Sequence, residues 1–412
     1  MSLMTRLTAS YKQTFVSLSY RDFRLVWSAS MIHHLGEWME MAGLLWFVQE
    51  MTGSTFLTSL MFFLRVVPMV VLSIPAGLIA DRMSRRNLMI YSKGGTALLS
   101  VALAVLTLTG WVEYWHLVVI SVLGSAATSI NMPSRQAVIP NIVKREHLMN
   151  AISLDSSSMM SSRLIGAPLA GLLLAHTGVT YVFGLRAVSG LIAAALLIKI
   201  PRFDPVRNGP KSSPVEDLKM GWQYLKRESL VFALVGLFFL PMFSNLSYMG
   251  LLPAFATQVL QAGAWEYGLL QMAPGVGSAL SLVSLAAVNQ MRHKGYFLFS
   301  SAIVMGVAMI IFAYSRWLPL SMAMLMLVGG MNNAFMTVDS TLVQGMIPDD
   351  MRGRVMGWRE MVRGFSPMGS LMAGVIADTA GGPPMGAAVV GAVTMAIPLV
   401  LIFLMPRMRR LD

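Results

Sequence analysis

The chain consists mainly of long apolar runs separated by short polar stretches. A helix needs about 20 mostly apolar residues to cross a membrane, and about twelve runs reach that length. Several of them contain polar residues, as do helices that face a protein interior or a water-filled cavity. The pattern predicts an all-α membrane protein with about 12 transmembrane helices. The runs lie at about 24–49, 56–79, 87–109, 115–138, 148–175, 180–199, 229–256, 267–289, 296–314, 318–345, 353–377 and 385–405.

The distribution of basic residues predicts the orientation. Twelve spans place both termini on the same side of the membrane. Nearly all Lys and Arg residues of the loops lie on that side, whereas Arg316 lies on the other side. By the positive-inside rule, both termini are expected in the cytoplasm, with the protein crossing a bacterial inner membrane many times. No removable signal peptide is expected. The residues assigned to the cytoplasmic side include Arg21, Arg24, Arg85, Arg86, Lys93, Lys144, Arg145, Lys294, Arg352, Arg354 and Arg407.

The longest polar stretch, 201–227, divides the chain into two halves of six spans. Within it, Leu218, Trp222 and Leu225 recur at helical spacing with charges between them. This pattern favours an amphipathic helix at the inner membrane surface, and a plain linker is the alternative. The predicted parts are an N-terminal six-helix bundle over 1–200, a cytoplasmic linker over 201–228 and a C-terminal six-helix bundle over 229–412.

An internal repeat supports two related halves. The segment 166–171, Gly-Ala-Pro-Leu-Ala-Gly, matches 369–374, Gly-Ser-Leu-Met-Ala-Gly. Parallel six-span repeats are a transporter architecture, with the substrate site between them near the middle of the membrane. We therefore expect two pseudo-symmetric bundles.

Composition narrows the class of protein. Of 412 residues, 56% are hydrophobic and 12% are charged, against about 25% charged in soluble domains. So low a charged fraction excludes a soluble enzyme. The net charge of +12 does not indicate nucleic acid binding, because the cytoplasmic loops of membrane proteins collect Lys and Arg. Zero cysteines exclude disulfides. There is no P-loop and no hydrolytic motif, so we expect no enzyme and no cofactor, with a proton gradient as the driving force.

Thirty-six methionines stand out. Methionine is a pliable apolar filler that also suits a polyspecific binding surface. A Cu(I) site is the alternative, since thioethers bind that ion. The methionines are spread over nearly every span, which favours filler, and no metal is expected.

Residues 77–86, Gly-Leu-Ile-Ala-Asp-Arg-Met-Ser-Arg-Arg, follow the second span and resemble the loop 2–3 signature of the major facilitator superfamily. The overall layout is similar to the drug:proton antiporter-3 group, which includes macrolide efflux proteins and the enterobactin exporter. The resemblance implies proton-coupled export of amphipathic compounds by a monomer in contact with membrane lipid. Further matching pieces are Tyr20–Arg24, Met51–Ser54, Arg163–Gly171, which holds the antiporter-like Gly166, Pro168 and Gly171, and Arg352–Val355.

The loop signature predicts a gate. Asp81, four residues after Gly77, sits at the inner end of the second span, and an anion is stabilised near a helix N-terminus. The start of span 11 at Arg352 is the natural partner, and the contact would latch the two halves on the inner side. The accompanying arginines are latch partners, lipid contacts or charges that only set topology: Arg82, Arg85 and Arg86.

Charges inside the spans should be paired or functional, because each costs at least about 2.5–3.5 kcal/mol at the bilayer centre. Residues equally far from a connecting loop lie at similar depth, at 1.5 Å per residue. Depth therefore predicts that Glu40 pairs with Arg65 and that Asp339 pairs with Arg359. The charges are Glu37, Glu40, Arg65, Asp155, Arg163, Arg186, Asp339, Arg359, Glu360 and Arg363.

With Glu40 assigned to Arg65, Glu37 lacks an evident basic partner. His33, Glu37 and Glu40 share one helical face. Desolvation disfavours an unpaired carboxylate, which could then bind and release a proton in each cycle, with His33 as a shuttle. We hypothesise that Glu37 carries the proton; a structural polar cluster is the alternative. The competing proton-coupling candidates are Asp339 and Asp155.

Arg163, near the middle of span 5, could balance Asp155 or Glu37, or bind an anionic substrate group. Arg363 has Glu360 within helical reach and is interpreted as structural. Other polar side chains are expected to line the cavity or to bond helices together. The cavity candidates are Glu40, Arg65, Asn131, Arg163, Asn245, Tyr248, Asn332, Asn333 and Arg363.

Three functions fit the sequence. The first is proton-coupled export of amphipathic small molecules, of drug or siderophore type, by alternating access. The second is a lipid or lysolipid flippase of the same fold, which would not need Glu37. The third, from another class, is a non-transporting membrane receptor or assembly factor, which would tolerate loss of the cavity charges.

Overall fold

The computed structural model describes residues 14–72, 79, 83–203, 214–287, 293–409 and 411, and these form helices joined by short links, with no β-strand. Short 3-10 turns cover Val16–Ser19 and Arg145–His147, and a π-helical turn covers Phe255–Val259. The α-helices, in chain order, are α1 Arg21–Thr52, α2 Thr55–Val71, α3 Arg85–Thr109, α4 Tyr114–Ser129, α5 Asn131–Ile142, α6 Leu148–His176, α7 Val179–Ile198, α8 Pro214–Arg227, α9 Ser229–Leu237, α10 Phe239–Ala254, α11 Ala264–Ala287, α12 Lys294–Tyr314, α13 Leu318–Met346, α14 Asp349–Gly364, α15 Met368–Ala380, α16 Gly382–Leu404 and α17 Pro406–Arg409.

Nine helical segments among the described residues are long and apolar enough to cross a membrane, and α2 is a shorter apolar helix. The predicted all-α membrane fold is therefore confirmed. α1 has the length of a span, but His33, His34, Glu37 and Glu40 lie in its middle and lower its hydropathy.

Two predicted spans are interrupted, each beside a proline. α4 ends at Ser129 and α5 begins at Asn131, because Pro133 has no N–H to bond the carbonyl of Ser129. The predicted run 353–377 is divided between α14 and α15, and Pro367 directly precedes α15. The residue before a proline is disfavoured in the helical region, which explains the second interruption.

The chain folds into two compact units, the first comprising Met1–Leu44 and Pro68–Arg207. In this unit α3 packs along α7. A Cβ added to Gly190 of α7 would lie 2.8 Å from the Cβ of Ala97, so only glycine permits this approach. Small residues allow such close helix packing within membranes, where apolar burial alone does not hold helices together.

The second unit comprises Leu45–Val67 and Asn208–Asp412. Here α11 packs on α13, and α12 packs on α13 and α16. The α11–α13 contact is very close, because a Cβ on Gly277 would lie 1.8 Å from the carbonyl oxygen of Met326.

The predicted linker helix exists as α8 and packs against α14. The Arg354 Nε lies 2.9 Å from Oδ1 of Asp217. The indole of Trp358 donates a hydrogen bond of 2.8 Å to the carbonyl of Leu218, and its ring lies 4.8 Å from that of Trp222. The apolar face of α8 is thus used in packing on the start of span 11.

The N-terminus of α2 is capped from α15. Asp378 accepts hydrogen bonds from the backbone N–H groups of Thr55 and Phe56, both at 3.0 Å, and from Oγ of Ser54 at 2.5 Å. One carboxylate thereby satisfies two of the amides that a helix start leaves unpaired and meets the positive end of the helix dipole.

Candidate functional site

Five helices of the first unit bring ionisable side chains into one buried cluster. α1 supplies His33, His34, Glu37 and Glu40 from adjacent turns, because helical spacing puts residues four and seven apart on one side. The other contributors are Lys93 of α3, Arg135 of α5, Asp155 of α6 and Arg186 of α7. We call these eight residues the charge cluster.

Two glycines bring the helices close enough for these contacts. A Cβ on Gly36 of α1 would lie 2.1 Å from Oγ of Ser189 and 3.2 Å from Cδ of Arg186, so α7 approaches α1 closely there. Gly166 does the same for α6, since its Cβ would lie 2.9 Å from the carbonyl oxygen of Leu35. Gly166, part of the antiporter-like motif, thus lies at a close contact between α6 and α1.

One hydrogen-bonded chain crosses the cluster from α6 to α1. Nη1 of Arg135 lies 2.8 Å from Oδ1 of Asp155 and 3.2 Å from Nε2 of His34. Nδ1 of His34 then lies 3.1 Å from Oε2 of Glu37. The Glu37 side chain is 29% exposed, whereas those of His34, Arg135 and Asp155 are 9%, 7% and 11% exposed. The chain thus runs from a partly exposed carboxylate to a buried ion pair.

Arginine fixes the hydrogen positions on His34. A guanidinium only donates hydrogen bonds, so Nε2 of His34 must accept from Arg135. The hydrogen of the neutral imidazole is therefore on Nδ1, where it is donated to Glu37.

A second array lies beside the first. Nε of Arg186 lies 3.1 Å from Oε2 of Glu40, and its Nη1 lies 3.1 Å from Nδ1 of His33. By the same argument, His33 accepts at Nδ1 and carries its hydrogen on Nε2. The two neighbouring imidazoles thus have opposite tautomers, with ring centroids 5.9 Å apart.

Lys93 is the fully buried lysine of the cluster. Its exposure is 0%, and Nζ has no hydrogen-bond partner among the described residues. Its assignment to the cytoplasmic side is wrong, because it lies inside α3. Eight residues separate it from Arg85, which at 1.5 Å per residue is about 12 Å along the helix. It lies near enough to Glu37 and Asp155 to interact with them electrostatically.

Sequence reasoning missed Arg135 and assigned no partner to Arg186. Both are arginines inside apolar runs, which is the signal that could have found them. The view that Glu37 lacks a partner is wrong, because His34 bonds it. Glu40 pairs with Arg186; Arg65 belongs to the second unit, and its pairing with Glu40 stays a prediction.

Arg163 of α6 also contacts α1. Its guanidinium carbon lies 5.0 Å from the ring centroid of Trp38 on α1, which is a cation–π contact. Pro168 lies inside α6, and Gly171 is buried in the same helix.

In the second unit, the predicted Asp339–Arg359 pair is confirmed. Nη2 of Arg359 lies 2.7 Å from Oδ2 of Asp339, which is fully buried. The guanidinium also covers the ring of Phe238 at 4.0 Å. Arg363 pairs with Glu360 at 3.0 Å, as its helical spacing predicts.

The polar side chains proposed to line the cavity differ in their hydrogen bonds. Asn333 donates to Oγ of Ser281 at 3.0 Å, which joins α13 to α11 and favours the helix-bonding interpretation. Asn245 accepts from the Tyr248 hydroxyl at 3.2 Å. Asn131 and Asn332 are buried, and neither Oδ1 has a hydrogen-bond partner among the residues described.

Much of the loop signature lies outside the described residues, namely Gly77, Asp81 and Arg82. Arg85 donates to the carbonyl of Ala137 at 2.9 Å, and Arg86 donates to carbonyls at the end of α7. Arg352 pairs with Asp349 at 2.7 Å on the surface.

Comparison with known proteins decides the family. A model of the transmembrane secretion effector family matches residues 12–412. The chain belongs to this family. It is therefore a membrane transporter of the major facilitator superfamily and not an enzyme, as the loop signature and the span 5 motif predicted.

Relatives of this chain include a transporter, an exporter and an efflux pump. The staphyloferrin A transporter of Staphylococcus aureus is 25% identical over 360 residues, covering 86% of this chain and 89% of the relative. The enterobactin exporter EntS of Salmonella typhimurium is 26% identical over 365 residues, covering 88% and 87%. The multidrug efflux pump Tap of Mycolicibacterium fortuitum is 24% identical over 410 residues, covering 94% and 96%.

Solved structures support the fold. The POT family transporter PepTSo superposes with a TM-score of 0.76 at 10% identity, covering 95% of this chain and 99% of that one. A POT family transporter in complex with 5-aminolevulinic acid gives 0.74 at 9% identity, covering 94% and 96%. At these identities the likeness concerns the fold alone.

Proposed function

We propose that this protein is a proton-coupled exporter of amphipathic small molecules of siderophore or drug type. It would work by alternating access across a bacterial inner membrane, with both termini in the cytoplasm. The family and its relatives support transport, and three of those relatives are named for a siderophore or for multidrug efflux. The observation that carries proton coupling is the position of Glu37.

Glu37 is partly exposed and is also hydrogen-bonded to the buried side chain of His34. It lies in the middle of α1, its side chain is 29% exposed, and its Oε2 accepts from His34. Protons can therefore reach it from outside the cluster, while its state is linked to buried groups. A carboxyl group in such a position can act as the exchangeable proton site of a transport cycle.

The competing carboxylates have different partners. Asp155 and Asp339 each face an arginine within 2.8 Å, and protonation of either would remove a charge-assisted interaction in a buried site. Glu37 is also the most exposed of the three carboxylates, at 29% against 11% for Asp155 and 0% for Asp339, so a proton can reach it most readily. Glu37 is the proton carrier in this proposal, and the two aspartates hold helices together.

The proposal is tested in proteoliposomes that contain wild-type protein or Glu37→Gln. A proton gradient is imposed, and movement of a catecholate siderophore, a macrolide, a cationic dye and a lysolipid is followed. We expect gradient-driven transport of at least one compound by the wild type, reduced roughly 10²-fold or more in the variant. Transport that ignores both the gradient and the substitution would overturn proton coupling.

The matched control is Glu360→Gln. Glu360 is 62% exposed and forms a surface pair with Arg363. Its removal takes away one carboxylate without touching the charge cluster, so gradient-driven transport should stay close to the wild-type value. Equal loss in both variants would contradict a specific role for Glu37.

A further inference from the structure

Lys93 of α3 is a fully buried basic side chain that the proposed function leaves unused. Its exposure is 0%, and its Nζ has no hydrogen-bond partner among the residues that the structure describes. We propose that Lys93 is a second proton-exchange residue of the charge cluster, a neutral amine in this arrangement that becomes an ammonium when water reaches it. This inference rests on the proposed function, in which transport is coupled to protons.

The two arginines of the charge cluster differ from Lys93, because each of them faces a carboxylate. Nη1 of Arg135 lies 2.8 Å from Oδ1 of Asp155, and Nε of Arg186 lies 3.1 Å from Oε2 of Glu40. These charge-assisted contacts stabilise both guanidinium groups, and arginine does not lose its proton in proteins. Lys93 therefore lies near two fixed cations.

The surroundings of Nζ favour the neutral amine. An ammonium has three hydrogens to donate, and the described residues offer no acceptor for them. A buried charge without such partners costs far more free energy than a buried neutral polar group. Of the charged neighbours, the two arginines oppose a charge on Lys93 more strongly than Glu37 and Asp155 favour it. The charged and titratable groups that interact with Lys93 are His33, His34 and Glu37 of α1, Arg135 of α5, Asp155 of α6 and Arg186 of α7.

Lys93 lies where α3 is in direct contact with α7. A Cβ added to Gly190 of α7 would lie 3.1 Å from the carbonyl oxygen of Lys93 and 2.8 Å from the Cβ of Ala97. In the proposal, water reaches Nζ when the cluster opens during alternating access. The lone pair of Nζ then takes one proton from water, and water molecules accept hydrogen bonds from the ammonium that is formed. The proton leaves again when the helices close around the amine.

Lys93 and Glu37 exchange protons in opposite senses. The two side chains interact electrostatically, and an ammonium at Lys93 stabilises the ionised form of Glu37, whereas a neutral amine does not. Proton uptake at Lys93 therefore favours proton release at Glu37, and this coupling is reciprocal. It requires no direct contact between the two side chains, because Coulomb interactions act beyond hydrogen-bonding distance.

The first experiment observes the protonation of Lys93 without transport. The ¹³Cε and ¹⁵Nζ signals of the lysines are recorded in the purified full-length protein, and those of Lys93 are assigned by their loss in Lys93→Met and in Lys93→Gln. At about pH 9 exposed lysines are ammonium groups, because an unperturbed lysine has a pKa of about 10.4. We expect Lys93 alone to have the signals of a neutral amine at this pH. Ammonium signals from Lys93 would overturn the inference.

The second experiment compares Lys93→Met with Lys93→Arg in proteoliposomes. Methionine resembles the neutral amine in length but cannot take up a proton, and arginine is a cation that cannot release one. We expect Lys93→Met to keep substrate exchange without a gradient and to lose gradient-driven accumulation by roughly tenfold. Lys93→Arg, compared at equal amounts of folded protein, should not restore this accumulation.

Two results of this experiment would overturn the inference. Wild-type accumulation in Lys93→Arg would show that a fixed cation is sufficient, and wild-type accumulation in Lys93→Met would show that the side chain only fills space. The matched control is Lys144→Met, since Lys144 is 72% exposed and lies 3.9 Å from Glu146 outside the cluster. Its gradient-driven accumulation should equal that of the wild type.

These experiments separate the two proposals. If wild-type transport ignores the proton gradient, the proposed function fails. If wild-type transport follows the gradient and depends on Glu37, but Lys93 is an ammonium at about pH 9, then only the proton exchange at Lys93 fails.

Discussion

The guanidinium of Arg135 and the carboxylate of Asp155 lie 2.8 Å apart in the interior of the first unit, where both side chains are nearly buried. Breaking such a pair by removing one partner leaves an uncompensated charge and costs about 3–5 kcal/mol. Removing both partners leaves no such charge. Comparing single and double variants of this pair therefore separates the cost of a buried unpaired charge from the energy of the interaction between the two side chains.

We predict that Arg135→Gln and Asp155→Asn each lower the free energy of unfolding in detergent by about 3–5 kcal/mol. The double variant should lose less than the sum of the two single variants. Arg352→Gln, at an exposed pair, is the control and should change stability by no more than about 1 kcal/mol. Additive losses in the double variant would show that the two residues do not interact.

A related prediction concerns Asp339 and Arg359. If this pair is structural, the double variant Asp339→Asn/Arg359→Gln should retain proton-driven transport, because Glu37 is intact. Asp339→Asn alone leaves the Arg359 charge buried, and we expect it to reduce the amount of folded protein. Initial rates are normalised to folded protein measured by gel filtration. A folded double variant that exchanges substrate but no longer responds to the proton gradient would indicate that Asp339 is the proton site.

The cap on α2 gives a third prediction. Replacing Asp378 by Ala removes the acceptor for the N–H groups of Thr55 and Phe56, and the loss of a helix cap costs about 0.5–2 kcal/mol. Ser54→Ala removes a hydroxyl and leaves both backbone bonds, so it should cost less. Unfolding curves of the two variants provide the measurement. A larger loss in Ser54→Ala than in Asp378→Ala would contradict the cap.

Because the chain has no cysteine, the same contact can be tested by cross-linking. Ser54→Cys combined with Asp378→Cys introduces the sole pair of thiols. Oγ of Ser54 lies 2.5 Å from Oδ2 of Asp378, so we expect a short reagent that reacts with two thiols to link the two cysteines. Each single variant serves as the control, and absence of a bond within one chain would contradict the docking of α2 on α15.

Close packing in the second unit gives a fourth prediction. An alanine at Gly277 would place its Cβ 1.8 Å from the carbonyl oxygen of Met326, so α11 and α13 must separate. We expect a loss of stability of at least about 1–3 kcal/mol. Gly345→Ala on α13 meets no atom within 4 Å and should instead stabilise the helix by about 0.5–1 kcal/mol. Thermal unfolding of both variants tests this, and similar midpoints would contradict the close contact.

The sequence was sufficient for the helical membrane fold and for one contact set by depth. Asp339 and Arg359 lie equally far from the turn near Asp349, and they pair as predicted. Depth says nothing about the rotation of a helix about its axis. It therefore could not reveal that Glu40 faces Arg186 or that His34, rather than His33, bonds Glu37.

Two further features required the structure for different reasons. Lys93 follows the basic loop motif closely in sequence, so charge counting placed it with the loop, whereas α3 carries it into the buried interior. The tautomers of His33 and His34 depend on which nitrogen meets an arginine, and this follows only from the packing of α5 and α7 against α1.

The central claim is that Glu37 carries the transported proton. The most direct measurement follows internal pH with a trapped dye while proteoliposomes move a compound that the wild type transports. The account predicts that substrate movement in wild-type vesicles drives opposite proton movement. It also predicts that Glu37→Gln still exchanges substrate while the internal pH stays constant. Equal substrate-driven proton movement in Glu37→Gln and wild type would contradict the account.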